Sequence, residues 1–262
     1  MPNSAKAEEL RTQIAELRKN LTDLIIEVDC TIFHKSKALE KEYMEHVGQL
    51  ELQSFSVQYK ILRTKRKLEL VEDLIENNRV LDLEFIDKVI DVDFEEYENL
   101  LKEQTNLLKL SLSYADKSRK NEDEGLSADY RQLVSLLHPD LNAGLDEEAG
   151  LLFREGVSAY AKKDRQTLRA ALDKAASYAE GSPVPADALK ETRNLLSKAL
   201  ADLREQQSLL DKSFPFSSAH LLEDADQLAA KRCELQGHIA YYESHLARYE
   251  AQLKELLLRK LN

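Results

Sequence analysis

The sequence predicts an all-α protein, and three observations carry that reading. Turn-forming residues are scarce: 262 residues include only 7 Gly and 5 Pro, and a sheet needs many turns built from them. Charged residues make up 32% and aromatics 6%, with no Trp, a balance that suits long helices rich in Leu, Glu, Lys, Ala and Arg. Apolar positions recur in alternating steps of four and three, the a/d rhythm of a coiled coil. The expected architecture is long antiparallel coiled-coil helices and hairpins with a small helical module inserted between them.

The rhythm starts at Leu10 and runs through Ile14, Leu17, Leu21, Leu24 and Val28, with Ser4 as the expected N-cap. It then loosens through Leu39, Tyr43, Val47 and Leu50, and Gly48 predicts a local weakening or bend. A second helical stretch is expected from about Phe55 to Ile75, ended by Asn77-Asn78. Asp82 opens a short helix carrying Phe85, Ile86, Val89 and Ile90. Asp93-Phe94-Glu95-Glu96 reads as a capping box that starts another helix. The polar run from Lys117 to Gly125 predicts a loop.

Residues 127–178 read as three short helices, capped in turn by Ser127, Asp146 and Asp164. The first turns Tyr130, Leu133, Val134 and Leu137 inward and must end near His138, because a residue before proline is pushed out of the helical region. The second turns Leu152, Phe153, Val157 and Tyr160 inward, and the third Leu168 and Leu172. Gly181-Ser182-Pro183-Val184-Pro185 reads as a linker. Beyond it the four-three steps return in two arms, Leu189 to Leu210 and Leu221 to Leu256, broken at Phe214-Pro215. Arg193, Gln207 and Arg232 interrupt the seams. A short connection predicts arms that pair with one another. The expected division is a helical region over 1–120, a small module over 127–178 and an antiparallel hairpin over 186–262.

The formal net charge of −11 argues against general nucleic-acid binding, which needs a basic surface. No stretch approaches the roughly 20 apolar residues that span a bilayer, and the N-terminus lacks an apolar signal core. Cys30 and Cys233 have neither metal spacing nor a disulfide pattern. They are expected to be buried small residues in a cytoplasmic protein. No phosphate-cradling Gly loop and no nucleophile–base pair stands at a recognisable spacing, so neither enzymatic activity nor a cofactor is expected. His238 and His245, and Glu42 with His46, lack the further ligands a metal site needs.

The informative stretch is Tyr130-Arg131-Gln132-Leu133-Val134-Ser135-Leu136-Leu137-His138-Pro139-Asp140-Leu141-Asn142. It resembles the second helix and signature loop of J-domains, the DnaJ co-chaperone family. Tyr-Arg-x-Leu, His-Pro-Asp and an Asn two residues on all match. So do Phe153 and Ala159-Tyr160 in the next helix. The resemblance spans about residues 127–178.

It implies a module that docks on a DnaK-type ATPase chaperone and stimulates ATP hydrolysis without bond chemistry of its own. His138 and Asp140, both expected to be largely exposed, would make the contact, and Pro139 would hold the turn. Arg131 and Asn142 would join the docking surface, and an exposed Asp suits a charge-assisted bond to a partner arginine. The helical arms would hold an unidentified client.

There are departures. Family members carry several Lys or Arg on the helix before the loop, facing an acidic chaperone surface; here residues 127–137 offer only Arg131. Leu141 stands where Lys is usual, and Gly156 where a bulky aliphatic is usual. The family's first helix is not recognisable just upstream, and segment 94–116 is the expected substitute. Arg63, Lys65, Arg66 and Lys67, together with Lys117, Arg119 and Lys120, form an expected auxiliary basic patch; a solvated helix face is the plainer account. The alternative to a co-chaperone is a coiled-coil scaffold whose J-like fold stimulates no ATPase.

Overall fold

The computed structural model describes residues 2–114, 120–142, 144–178 and 184–261. Among them every regular element is helical and there is no strand, so the chain is all-α. No described helix is long and apolar enough to cross a membrane.

Helical backbone runs unbroken from Pro2 to Glu76. It comprises α1 (Pro2–Cys30), a π-turn (Thr31–Lys35), α2 (Ser36–Tyr43), a second π-turn (Met44–Gly48) and α3 (Gln49–Glu76). Each π-turn widens the coil and shifts the phase of the apolar stripe. That is why the strict rhythm fades after Val28. Gly48 therefore closes a π-turn rather than interrupting the helix, and Ser4 lies inside α1 rather than capping it. Asn77 caps α3 and Asn78 takes a positive φ of 52°, a left-handed stop that Asn tolerates.

Next come α4 (Leu83–Asp93), α5 (Glu95–Ser113), α6 (Lys120–Leu137), α7 (Glu147–Ala161), α8 (Arg165–Ala175), α9 (Leu189–Asp211), α10 (Ala219–Glu223) and α11 (Ala225–Leu261). Three caps form as expected: Asp82, Asp146 and Asp164 accept from the backbone N–H of Phe85, Ala149 and Thr167. Two do not. Asp93 is the last residue of α4, and its carboxylate accepts from Arg66 Nε at 3.0 Å. Ser127 lies within α6, which already starts at Lys120, so the expected loop shrinks. Residues 115–119 and the linker residues 181–183 lie outside the described residues.

The chain divides into two compact units that differ from the expected domains: Met1–Ala38 with Ala115–Ser217, and Leu39–Tyr114 with Ser218–Asn262. In the first unit α6, α7 and α8 pack on one another, α1 packs on α6, and α9 packs on α1. The helix that covers α6 is thus α1, brought from the far end of the sequence, and not segment 94–116. The core joins Tyr130, Leu133, Val134 and Leu137 of α6 to Leu152 and Tyr160 of α7, Leu168 of α8, Ile14 and Leu21 of α1, and Leu196 of α9. Asp129 ties α6 to α8 by accepting from Arg165 at 2.6 Å and Arg169 at 3.0 Å.

In the second unit α3 packs on α4, α5 and α11. Its core is Val71, Ile86 and Ile90, with Leu253, Leu256 and Leu257 against them. Arg232 donates to the His46 carbonyl oxygen, and Lys65 lies 5.1 Å above the Tyr249 ring. Contacts that advance together from His46 to Val71 and from Arg232 to Leu253 make α3 and α11 parallel. The expected hairpin over 186–262 is therefore replaced by two different pairings, α9 on α1 and α11 on α3.

Candidate functional site

The His-Pro-Asp turn grows directly out of α6. His138 still donates its backbone N–H to Val134 at 3.0 Å, and its own carbonyl oxygen accepts from Leu141 and Asn142 at 3.1 and 3.0 Å. Proline cannot continue the helix, so the chain closes into a tight turn. Asn142 secures it from the far side, its Nδ2 donating to the Ser135 carbonyl oxygen at 2.8 Å. That bond satisfies one of the carbonyls left open at a helix end. Leu141 is buried in the core, which accounts for the apolar residue at this position.

Pro139 and Asp140 are exposed, but His138 is half-buried. Its ring meets Phe153 edge-on, with centroids 5.2 Å apart and planes at 81°. Its Nδ1 accepts from the backbone N–H of Asp140 at 3.2 Å. Burial pushes the imidazole pKa below its usual value, against the opposing pull of the Asp140 carboxylate. The expectation of two largely exposed side chains therefore holds for Asp140 and fails for His138. Sequence periodicity could not reveal Phe153 beneath the ring.

The other motif residues are mostly structural. Tyr130 is fully buried, stacks on Tyr160 at 3.9 Å and 3°, and donates its hydroxyl to Asp29 of α1 at 2.6 Å. Burial raises the Asp29 pKa, and the Tyr130 hydrogen bond holds part of that rise back. Arg131 is exposed and pairs with Asp23 of α1. Asn142 serves as the helix cap already described.

The basic cluster belongs to the second unit. Arg63 pairs with Asp91, Arg66 with Asp93 at 3.0 Å and Lys67 with Asp87 at 2.5 Å. These bonds join α3 to α4, while Lys65 sits over Tyr249. Most of the cluster is thus engaged within its own unit. Lys117 and Arg119 lie outside the described residues, as does the side chain of Lys120. Cys30 is half-buried, but Cys233 is exposed rather than buried, because it falls off the α11 seam. Among the described residues no group of three or more His, Cys, Asp or Glu is placed to hold a metal.

Sequence reasoning missed two cations. Arg18 and Lys19 of α1 line a concavity of about 340 Å³ with Arg131 and Ser135 of α6 and with Leu141 and Asn142 of the turn. Only the packing of α1 on α6 brings them there, so no local sequence signal could have found them.

Among known proteins the chain matches no family model, no curated sequence and no solved structure.

Proposed function

We propose that this chain is a non-enzymatic co-chaperone or adaptor. The resemblance of residues 127–178 to J-domains supports docking of the His138-Pro139-Asp140 turn on a DnaK-type ATPase, with stimulation of its ATP hydrolysis and no cofactor in the chain itself. The remaining helical surfaces would hold a client or partner. The observation that carries this reading is the division of roles within the motif. Tyr130, Leu141, Ala159 and Tyr160 are core residues, while Pro139 and Asp140 stand in solvent on a turn pinned from both sides. An exposed, rigidly held carboxylate with no packing role suits recognition rather than folding.

One observation favours the alternative, a scaffold without ATPase stimulation: Arg131, the one cation of residues 127–137, is tied to Asp23. A steady-state ATPase assay separates the two. The intact chain is mixed with the DnaK-type chaperone of its own source. Severalfold stimulation, lost in Asp140→Asn, supports the co-chaperone; an unchanged rate at saturating chain leaves the scaffold.

A further inference from the structure

We infer that Arg18 and Lys19 of α1 form the basic half of the docking surface and receive an acidic patch of the partner protein. This rests on the co-chaperone reading and names the contact that reading lacks. Residues 127–137 supply a single arginine, yet the concavity beside the turn holds three cations, because α1 contributes two. Of the three, Arg131 is already paired with Asp23. Among the described residues Arg18 and Lys19 form no ion pair, and the Arg18 Nε is buried without an acceptor. A guanidinium and an ammonium without a carboxylate partner are donors for carboxylates of a second protein. A guanidinium matches a carboxylate with two parallel bonds.

The surface is continuous with the exposed turn. Arg18 also lines a second concavity together with Asp140, Leu141, Asn142 and Asp146. A partner reaching Asp140 thus meets Arg18 at its edge. In a chain of net charge −11, three cations lining one concavity stand out as a docking feature, since complementary potentials steer encounter and fix orientation. The occupant is a protein carrying clustered Asp or Glu, here the DnaK-type ATPase. A nucleic acid would need a longer run of cations than three to bind firmly at physiological salt.

The test is binding of the intact chain to the DnaK-type chaperone of its own source, followed by biolayer interferometry at low and physiological salt. Lys19→Glu alters an exposed residue alone; Arg18→Gln/Lys19→Glu removes both cations. Circular dichroism checks that each variant stays folded. The double variant should associate about tenfold more slowly and show a shallower salt dependence, with Lys19→Glu falling in the same direction by a smaller factor. Wild-type rates in both variants overturn this inference and leave the co-chaperone reading standing. A wild-type chain that neither binds nor stimulates the chaperone overturns that reading, and the assignment falls with it. A loss confined to binding of a labelled single-stranded RNA, with chaperone binding intact, overturns the protein partner.

Discussion

The ring of His138 stands edge-on against Phe153, 5.2 Å between centroids, so the first residue of the exposed turn is anchored to the core of its own unit. The three motif residues therefore carry different burdens. His138→Ala removes the aromatic contact and the acceptor of the Asp140 N–H, and should lower stability by about 1–2 kcal/mol. Asp140→Asn changes an exposed side chain and should stay within about 0.5 kcal/mol. Urea denaturation measures both. Equal midpoints for the two variants would show that the ring contact adds nothing to stability.

The same burial makes the module sensitive to mild acid. The folded-state pKa of His138 is lowered from 6.5, first by burial. The unfolded chain therefore takes up its proton at higher pH than the folded one. Stability is complete above the unfolded value and falls as pH drops from there toward the folded pKa. Protonation also destroys the Nδ1 acceptor of the Asp140 N–H. Denaturation midpoints measured from pH 8 to 5 should decline, and His138→Gln should flatten that decline. An identical slope in the variant would assign the effect to other groups.

Tyr130 and Asp29 form the most buried polar contact between α6 and α1, at 2.6 Å. Tyr130→Phe keeps the stack on Tyr160 but strips the carboxylate of its donor, at an expected cost of about 1–3 kcal/mol near neutral pH. The Asp29 pKa is already raised by burial and should rise further. For a carboxyl with a raised pKa, stability falls as pH climbs from the unfolded value of 3.8 through the folded one. The penalty of Tyr130→Phe should accordingly shrink in acid. Adding Asp29→Asn to Tyr130→Phe should recover part of the loss, which a double-mutant cycle reads directly. Strict additivity would contradict the bond.

Gly156 of α7 lies close against Leu133 of α6. A Cβ there would overlap the side chain of Leu133, which is fully buried. Overpacking costs about 1–3 kcal/mol against a helix-propensity gain of about 1 kcal/mol for alanine. Gly156→Ala should therefore destabilise by about 1 kcal/mol net, and Gly156→Ala/Leu133→Val should be closer to Leu133→Val alone than additivity predicts. A stabilised single variant would mean that Leu133 moves aside freely.

The helices were legible in the sequence because periodicity reports which face of a helix is buried. Leu196 and Leu200 on one seam, and Leu235 and Ile239 on the other, are buried as their spacing demands. What covers a face is a property of the whole chain. The same spacing on α1, α3, α9 and α11 permits several pairings, and the local pattern does not choose between α9 on α1 with α11 on α3 and α9 on α11. Caps were legible where the acceptor serves its own helix, as at Asp146, and not where a distant cation claims it, as Arg66 claims Asp93. The site divides in the same way. His138-Pro139-Asp140 is a local motif and was visible, whereas Arg18 and Lys19 reach the turn only through packing of α1 on α6.

The pairing of the two arms yields the last prediction. Leu189, Leu196 and Leu200 of α9 are buried in the unit that contains α1, while Leu235 and Ile239 of α11 belong to the unit that contains α3. A fragment of residues 186–262 keeps both apolar stripes and loses both partners. Isolated helices draw most of their stability from tertiary packing of an amphipathic face. The fragment should therefore show weak helicity at low concentration and melt without a cooperative transition. Helicity should rise with concentration as the exposed stripes find one another. Adding residues 1–76 in trans should raise the helical signal beyond the sum of the two fragments, because it restores α1 for α9 and α3 for α11. A concentration-independent, cooperative melt of 186–262 alone would mean that the arms fold back on each other as a hairpin, and the α1–α9 and α3–α11 pairings would then be unnecessary for their stability.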